Sequence, residues 1–581
     1  MLADPMGQRL EHLESIVKGL IAQKESPLGT ASDQAMSGTI SQYPRVIGLA
    51  QGSRTVIDSA QSVYKAADDW HDVLHEVNEI KKLWNEVQDE GEDYRYELSN
   101  VVDGTSLLFS QVQRVDEAEV IASLPPKPEI DKLLRWFFDR ENFPLNIPPI
   151  IHEPTFMQEC AQHWREPSRT SIMWVGLLFS ILGITMLAFQ FSESSEYEGI
   201  SESRFDLYRL RTAQCLLMGD IAKCLPYTIE TLRFNATAEL NRKDDNSRGL
   251  WIMTGVIVRA AVNMGYHRDP SHTPSLSTLK AEYRRRVWLS VTNMDEVTSF
   301  LSGFPRMAPT VHADTREPHN LHDWELDEGT SALHRSRPLS ETTSATYLIA
   351  KSRLFRGLGN VVDLNNSSQP VRYATVLDVD KYLQDAYINL PVQIRLDASK
   401  GDRNSFKNQS DYTSLQLMCM YHHGLISLHR NHIPRDGDDS PGNISRARCI
   451  NAALALLEYQ RLLQPRWYTF YQTRQMLARA AMVLLLELES RRKGLSFDTE
   501  VPSDDLLRVL DRSVAFWSEA KDTCAEACKV QEVLQKLIGE LNKSPMPSTD
   551  ILQPLDTNIS NIPSQDINWS WWNQYFETAW P

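Results

Sequence analysis

Hydrophobic positions recur along this chain with a helical period almost from end to end. Met6, Leu10, Leu13, Val17 and Leu20 are spaced 4, 3, 4, 3, with Arg9, Glu11, Glu14 and Lys18 between them. That is a coiled-coil seam, so residues 1–24 predict a short dimerisation segment, or a surface amphipathic helix if no partner helix meets it. Residues 25–62 are rich in Ser, Gly, Thr and Gln without a sustained period, and predict a disordered linker. A second stripe follows at Val63, Ala66, Trp70, Val73, Val77, Ile80, Trp84 and Val87. It predicts an amphipathic helix within 63–98, anchored by its two Trp residues on the main body or on a partner chain.

The PPKP at 125–128 punctuates the chain and opens the main body. Beyond it, segments such as FDLYRLRTAQCLLMGDIAKCL, ARCINAALALLEYQRLL and RQMLARAAMVLLLELESRR keep the helical period, while alternating strand patterns are scarce. The predicted class is all-α, with one large helical domain over 125–543. Polar breaks near 316–345, 364–371, 396–411 and 435–446 predict loops, and 544–581 predicts a flexible tail.

Composition narrows the field. The chain has 581 residues, 42% hydrophobic and 23% charged, as in globular proteins, and a formal net charge of −16 that repels polyanions. One of its longest basic runs, Arg284-Arg285-Arg286, sits inside an apolar-periodic segment and makes no basic arm. Seven scattered cysteines form neither a disulfide framework nor a zinc knuckle, which suits a reducing compartment. Cys524 and Cys528 share a helix face without companion ligands. The uncharged SIMWVGLLFSILGITMLAFQF at 171–191 is long enough to cross a bilayer. Gly176, Ser180, Gly183 and Thr185 interrupt it, however, and acids rather than a basic cluster follow. A buried core helix is expected, with a membrane span as the alternative.

One triplet invites a catalytic reading. NMGYHRDP, 263–270, contains the His-Arg-Asp that opens a protein-kinase catalytic loop. A kinase also needs a glycine-rich strand-turn-strand upstream, an Asn five residues after the Asp, and then DFG. Here PSHTP follows Asp269, no DFG comes after it, and the preceding segment is helical in period. The residues parse instead as helix, turn, helix. Gly265 supplies the left-handed C-cap, Pro270 ends the turn, and Ser275, Ser277 or Thr278 caps the next helix. Glu282 is spaced to pair with Arg285 and Arg286, and Asp295 is expected to be a semi-buried acid paired with an Arg. His422, His423, His429 and His432 crowd one helix without a matching acid or Cys, and are expected to be hydrogen-bonded structural histidines. No nucleophile elbow, phosphate loop, HExxH or dinucleotide fingerprint is present, so no catalytic residue is assigned.

The same segment resembles the middle homology region of fungal binuclear zinc-cluster transcription factors, the fungal-specific transcription factor domain. That family shows Gly-Leu-His-Arg-Asp, then Glu-Arg-Arg-Arg-Val-Trp-Trp, then an Asp-Arg pair, then Gly-Arg-Pro. This chain gives Gly265, His267, Arg268 and Asp269, then Glu282, Arg284, Arg285, Arg286 and Trp288, then Asp295, then Gly303 and Pro305. IIHEPTF at 150–156 and LHRNHIP at 428–434 extend the likeness over about 125–435. It departs at Leu289, Glu296 and Phe304, where the family has Trp, Arg and Arg.

The resemblance implies an all-α regulatory domain of a nuclear transcription regulator, not an enzyme. Family members carry an N-terminal six-cysteine zinc cluster followed by a linker and a short coiled coil; this chain has no cysteine before Cys160. The expectation is therefore no cofactor in this chain, with zinc only if such a cluster precedes it. DNA contact is expected only through that segment or a partner. Implied partners are a second copy or a zinc-cluster relative through the Met6–Leu20 seam, a coactivator, and a small-molecule effector, with membrane association not expected. Trp569, Trp571, Trp572, Tyr575, Phe576 and Trp580, set among Asp566 and Glu577, resemble an acidic-aromatic activation segment; the alternative is a C-terminal peptide that packs its Trp residues back onto the body. The alternatives are a modulator that titrates a full-length relative without binding DNA, and a membrane-associated or enzymatic helical protein.

Overall fold

A computed structural model describes residues 112–543 except 140–141, 146, 148, 193–194, 244–245, 331, 396–408, 434–441 and 493–500. It also describes 54–57, 62–65, Val73 and Val77. The seam residues Met6, Leu10, Leu13, Val17 and Leu20 and the tail residues Trp569, Trp571, Trp572, Tyr575, Phe576 and Trp580 lie outside the described residues.

The expected linker and helix meet at a hairpin. β1, Arg54–Ile57, pairs antiparallel with β2, Ser62–Lys65, in the register Arg54↔Lys65 to Ile57↔Ser62. Thr55, Val56, Ile57, Val63 and Tyr64 are β-branched or aromatic and suit a strand. The period-3.6 reading therefore starts too early at Val63. Further along the stripe, Val73 and Val77 are helical and buried, and Val73 belongs to the main core. At Val73, then, the stripe docks on its own chain.

Fifteen helices follow among the described residues. The first six are α1 (Glu117–Ala122), α2 (Lys127–Phe138), α3 (Glu153–Arg165), α4 (Ile172–Phe189), α5 (Ser201–Gly219) and α6 (Thr228–Leu240). They build a first core, with Ile130, Phe156, Leu177, Phe179 and Phe234 at its centre. α4 is the candidate membrane span, and every residue from Met173 to Ala188 is buried within the body. Ser171 caps it by accepting the amide of Met173 at 3.3 Å. A Cβ on Gly176 would stand 2.8 Å from the Cβ of Cys215, so the missing side chain is what lets α5 lie against α4. A helix apolar on every face needs neighbours on every face, and here protein supplies them.

The second core is larger. It holds α7 (Ser247–Asn263), α8 (Thr278–Ser302), α9 (Thr346–Asn365), α10 (Tyr373–Ile388), α11 (Gln409–His429), α12 (Gly442–Gln460), α13 (Tyr471–Arg492), α14 (Ser503–Ala520) and α15 (Ala525–Lys543). Five helices serve both cores, α4 and α5 giving Met173 and Leu216 to the second core beside their residues in the first. α6 gives Leu232 to one and Phe234 to the other, α8 gives Val291 and Leu289, and α9 gives Ala350 and Ile349.

Candidate functional site

The crossing of α7 and α8 collects the residues that stood out in the sequence. α7 ends in a Schellman turn: Gly265, at φ 72°, donates to the Val262 carbonyl at 2.9 Å, and Tyr266 donates to the Ala261 carbonyl at 2.9 Å. This is the left-handed cap the glycine predicted, since only glycine takes that φ without steric cost. Ser277 caps α8 by accepting the amide of Lys280 at 3.3 Å. At the other end of α8, Gly303 sits at φ 70°.

Asp269 is the centre of the turn. Arg285 clasps it with two bonds, Nε to Oδ2 at 3.0 Å and Nη2 to Oδ1 at 2.8 Å. The amides of Ser271 and Arg316 donate to the same carboxylate, each at 3.0 Å. Arg285 reaches on to Glu282, which also accepts the His319 amide at 2.8 Å. Asp269, Arg285 and Glu282 are all buried, and the Arg285 guanidinium holds the Asp269 carboxyl well below the usual carboxylate range. Such a carboxylate is saturated and a very weak base, so it cannot take a proton from a hydroxyl nucleophile.

The other members divide the work unequally. Arg286 does not pair with Glu282 as its spacing suggested; its Nη1 donates to Asp323 at 2.6 Å. The Asp323 carbonyl lies 3.0 Å from Nε2 of His152, the histidine of the IIHEPTF motif. Two distant stretches of sequence thus close on one loop. Arg284 donates to the Met264 carbonyl at 2.8 Å and lies over the Tyr266 ring at 4.1 Å. Trp288 fills the second core. Of the triplet itself, only Asp269 ties the helices by its side chain. His267 contributes its carbonyl to the Asp314 amide at 3.0 Å, and Arg268 is exposed, 3.5 Å from Asp314.

Asp295 corrects an expectation. It is buried, but its partners are the amides of Met307 and Ala308, at 2.8 and 2.6 Å, instead of an arginine. Burial raises its carboxyl. The Arg went next door: Arg306, following Pro305, lies 3.6 Å from Glu296 and grips Asp363 through Nε at 2.9 Å and Nη2 at 2.5 Å. Glu296 is buried and its carboxyl is pushed up to about 8. An ionic cluster therefore exists where Glu296 and Phe304 depart from the family pattern. Arg306 was missed because it lies one position beyond the glycine-proline motif.

The histidine cluster is built into the core. His423 Nε2 is 2.6 Å from Nη1 of Arg479, and His429 Nδ1 is 3.0 Å from Ser445 Oγ. His422 packs among Tyr387, Tyr421 and Tyr459. Burial pushes His422 down to about 3, so it stays neutral at physiological pH.

Comparison with known proteins identifies a family for the stretch that holds this crossing. The family described as "Fungal specific transcription factor domain" matches residues 134–373, the stretch from α2 into α10. The chain is 30% identical over 595 residues to the Fusarisetin A cluster transcription factor fsa6 of Fusarium sp. (strain FN080326), covering 93% of this chain and 77% of that protein. It is 28% identical to the Equisetin cluster transcription factor eqxF of Fusarium heterosporum, over 93% and 83% of the two. It is 29% identical to the Zn(2)-C6 fungal-type transcription factor pigI of Monascus ruber, over 85% of this chain and 63% of that longer protein. No solved structure matches.

Proposed function

The chain belongs to the fungal-specific transcription factor family, and on that premise we propose that it regulates transcription of a fungal secondary-metabolite gene set from the nucleus. The observation that carries this reading is the likeness to fsa6 along 93% of the chain, beyond the domain itself. The buried ionic crossing supports a regulatory body over a catalytic one, because its carboxylates are committed to fixed partners. In this proposal the Met6–Leu20 seam dimerises the chain or joins it to a zinc-cluster relative, the body senses an effector, and the Trp569–Trp580 tail recruits a coactivator. DNA contact, and any zinc, comes with a six-cysteine cluster outside these 581 residues or on the partner. The net charge of −16 argues against sequence-specific operator binding by these residues alone.

The test is a reporter in a filamentous fungus, with the full chain fused to a heterologous DNA-binding domain. The fusion should change reporter output, and replacing Trp571 and Trp572 with Ala should remove most of that change. An unchanged reporter from a stable, nuclear fusion would overturn the reading.

A further inference from the structure

The turn that joins α7 to α8 carries a stretch of side chains that the fold leaves unused. Ser271, His272, Thr273, Pro274 and Ser275 are all exposed, between the buried Pro270 and the α8 cap at Ser277. Their backbone is held. The His272 amide donates to the Asp269 carbonyl at 3.0 Å, that of Thr273 to Pro270 at 2.9 Å, and that of Leu276 to Thr273 at 3.1 Å. The Thr273 hydroxyl, by contrast, makes no hydrogen bond among the described residues. Its backbone lies outside the helical region, at φ −123° and ψ 81°, as suits the residue before a proline. The chain holds four Ser/Thr-Pro pairs, at Ser26, Thr273, Ser440 and Ser544, and Thr273 alone of them falls among the described residues.

Two cations sit together beside this turn. Arg268 and His272 reach the same oxygen, Oδ2 of Asp314, at 3.5 and 3.2 Å. All three side chains are exposed, so water and salt weaken both contacts. Asp314 has a second task, since its Oδ1 accepts the Asp269 amide at 2.8 Å. A phosphate brings about −1.5 to −2 charges and three strong acceptor oxygens, and so draws exposed arginine and histidine away from a carboxylate.

We propose that Thr273 is a phosphorylation site for a proline-directed Ser/Thr kinase, with Arg268 and His272 as the cations that receive the phosphate. The Thr273 Oγ attacks the γ-phosphorus of a nucleoside triphosphate. The new O–P bond forms as the bond from that phosphorus to the β,γ-bridging oxygen breaks; nucleoside diphosphate leaves, and the hydroxyl proton passes to the kinase's base. Entry into the kinase cleft costs the loop bonds Leu276 to Thr273 and Thr273 to Pro270, a local opening that needs no global unfolding. Once in place, the phosphate competes with Asp314 for both cations. Asp314 also holds the Asp269 amide, so the modification bears on the α7–α8 crossing. The site is measured on the purified chain and does not depend on which genes the chain regulates.

The test uses the full chain with a purified mitogen-activated protein kinase and MgATP, read by mass spectrometry of the tryptic peptide 269–280. That peptide should gain one phosphate, placed on Thr273 by fragmentation. Thr273→Ala should abolish it and Thr273→Ser retain it, while Pro274→Ala should slow its formation by at least about tenfold, the worth of one lost pocket contact. These substitutions alter exposed side chains, so thermal unfolding should stay that of the wild type. The cations are tested in a chain whose Ser26, Ser440 and Ser544 are replaced by Ala, leaving one Ser/Thr-Pro acceptor. Phosphorus NMR should show the second ionisation of the phosphate moving to higher pH in Arg268→Ala, which removes one of its cations. No phosphate on 269–280, phosphate there on Ser271 or Ser275 instead, or an undiminished rate in Pro274→Ala overturns the site. An unmoved ionisation in Arg268→Ala overturns the part assigned to that cation.

Discussion

The crossing at Asp269 and helix α6 at Arg233 put arginines into the same kind of interior with opposite bookkeeping. Arg285 lies between two buried carboxylates, with backbone amides filling the acids' other lone pairs. Arg233 has a carbonyl and a hydroxyl and no acid. The first arrangement holds a turn in place and leaves nothing for a ligand to satisfy. The second leaves a buried charge held by neutral dipoles alone. In one domain, then, one buried arginine is fixed by full charge pairing and another by neutral groups alone.

Asp269→Ala should break the saturated side most severely. It strands Arg285 beside Glu282 and leaves the amides of Ser271 and Arg316 without their acceptor. Removing one partner of a buried pair typically costs about 3–5 kcal/mol. Thermal and urea unfolding should show a loss of that order, and adding Arg285→Met should return part of it, since the stranded charge goes too. The depressed Asp269 carboxyl contributes stability above its unfolded value, lost as pH falls through the acid range. The wild type should therefore lose its margin over the variant on acidification. A loss under about 1 kcal/mol at neutral pH would mean the clasp is incidental.

Glu296 tests the intermediate case, a buried acid with an arginine at 3.6 Å but no close bond from it. Burial raises its carboxyl from 4.5 to about 8. The native state thus holds a proton the unfolded chain has released, and the associated stability, full below pH 4.5, is lost as pH rises through 8. Glu296→Gln keeps the neutral shape. Between pH 5 and pH 8.5 it should remove a decline on the order of 1–3 kcal/mol relative to wild type. Parallel stability–pH curves for the two proteins would show that Arg306 already compensates the charge.

Much of the saturated region was legible in the sequence. The all-α class followed from period, Gly265 announced the left-handed cap, and Ser277 was one of three candidates to cap α8. Glu282 and Arg285 are three apart on one helix, and such pairs can be read from spacing. What stayed hidden joins residues far apart in the chain: Arg286 with Asp323, His152 with the same loop, and Arg306 with Asp363. Spacing along a helix says which face a charge occupies but not which loop will fold over it. The hairpin was missed for a different reason, because four-residue strands are too short to separate from a helical stripe when Val63 fits both. Arg233 was missed because α6 is buried on every face, so no polar stripe distinguished its charges.

The smallest effect belongs to the residue that looks most diagnostic in the motif. Arg268 stands in the middle of the His-Arg-Asp triplet, yet its side chain is 58% exposed and only 3.5 Å from an Asp314 that is itself 42% exposed. An exposed ion pair is screened by water and salt and is worth about 0–1 kcal/mol. The turn keeps its shape through backbone bonds at His267 and Asp314 and through the Asp269 carboxylate, none of which uses the Arg268 side chain. Arg268→Ala should therefore shift unfolding by less than about 1 kcal/mol, and by less still at high salt. If it proved as damaging as Asp269→Ala, the folded turn would depend on an exposed charge. The distinction between satisfied interior and solvated rim would then fail at this crossing.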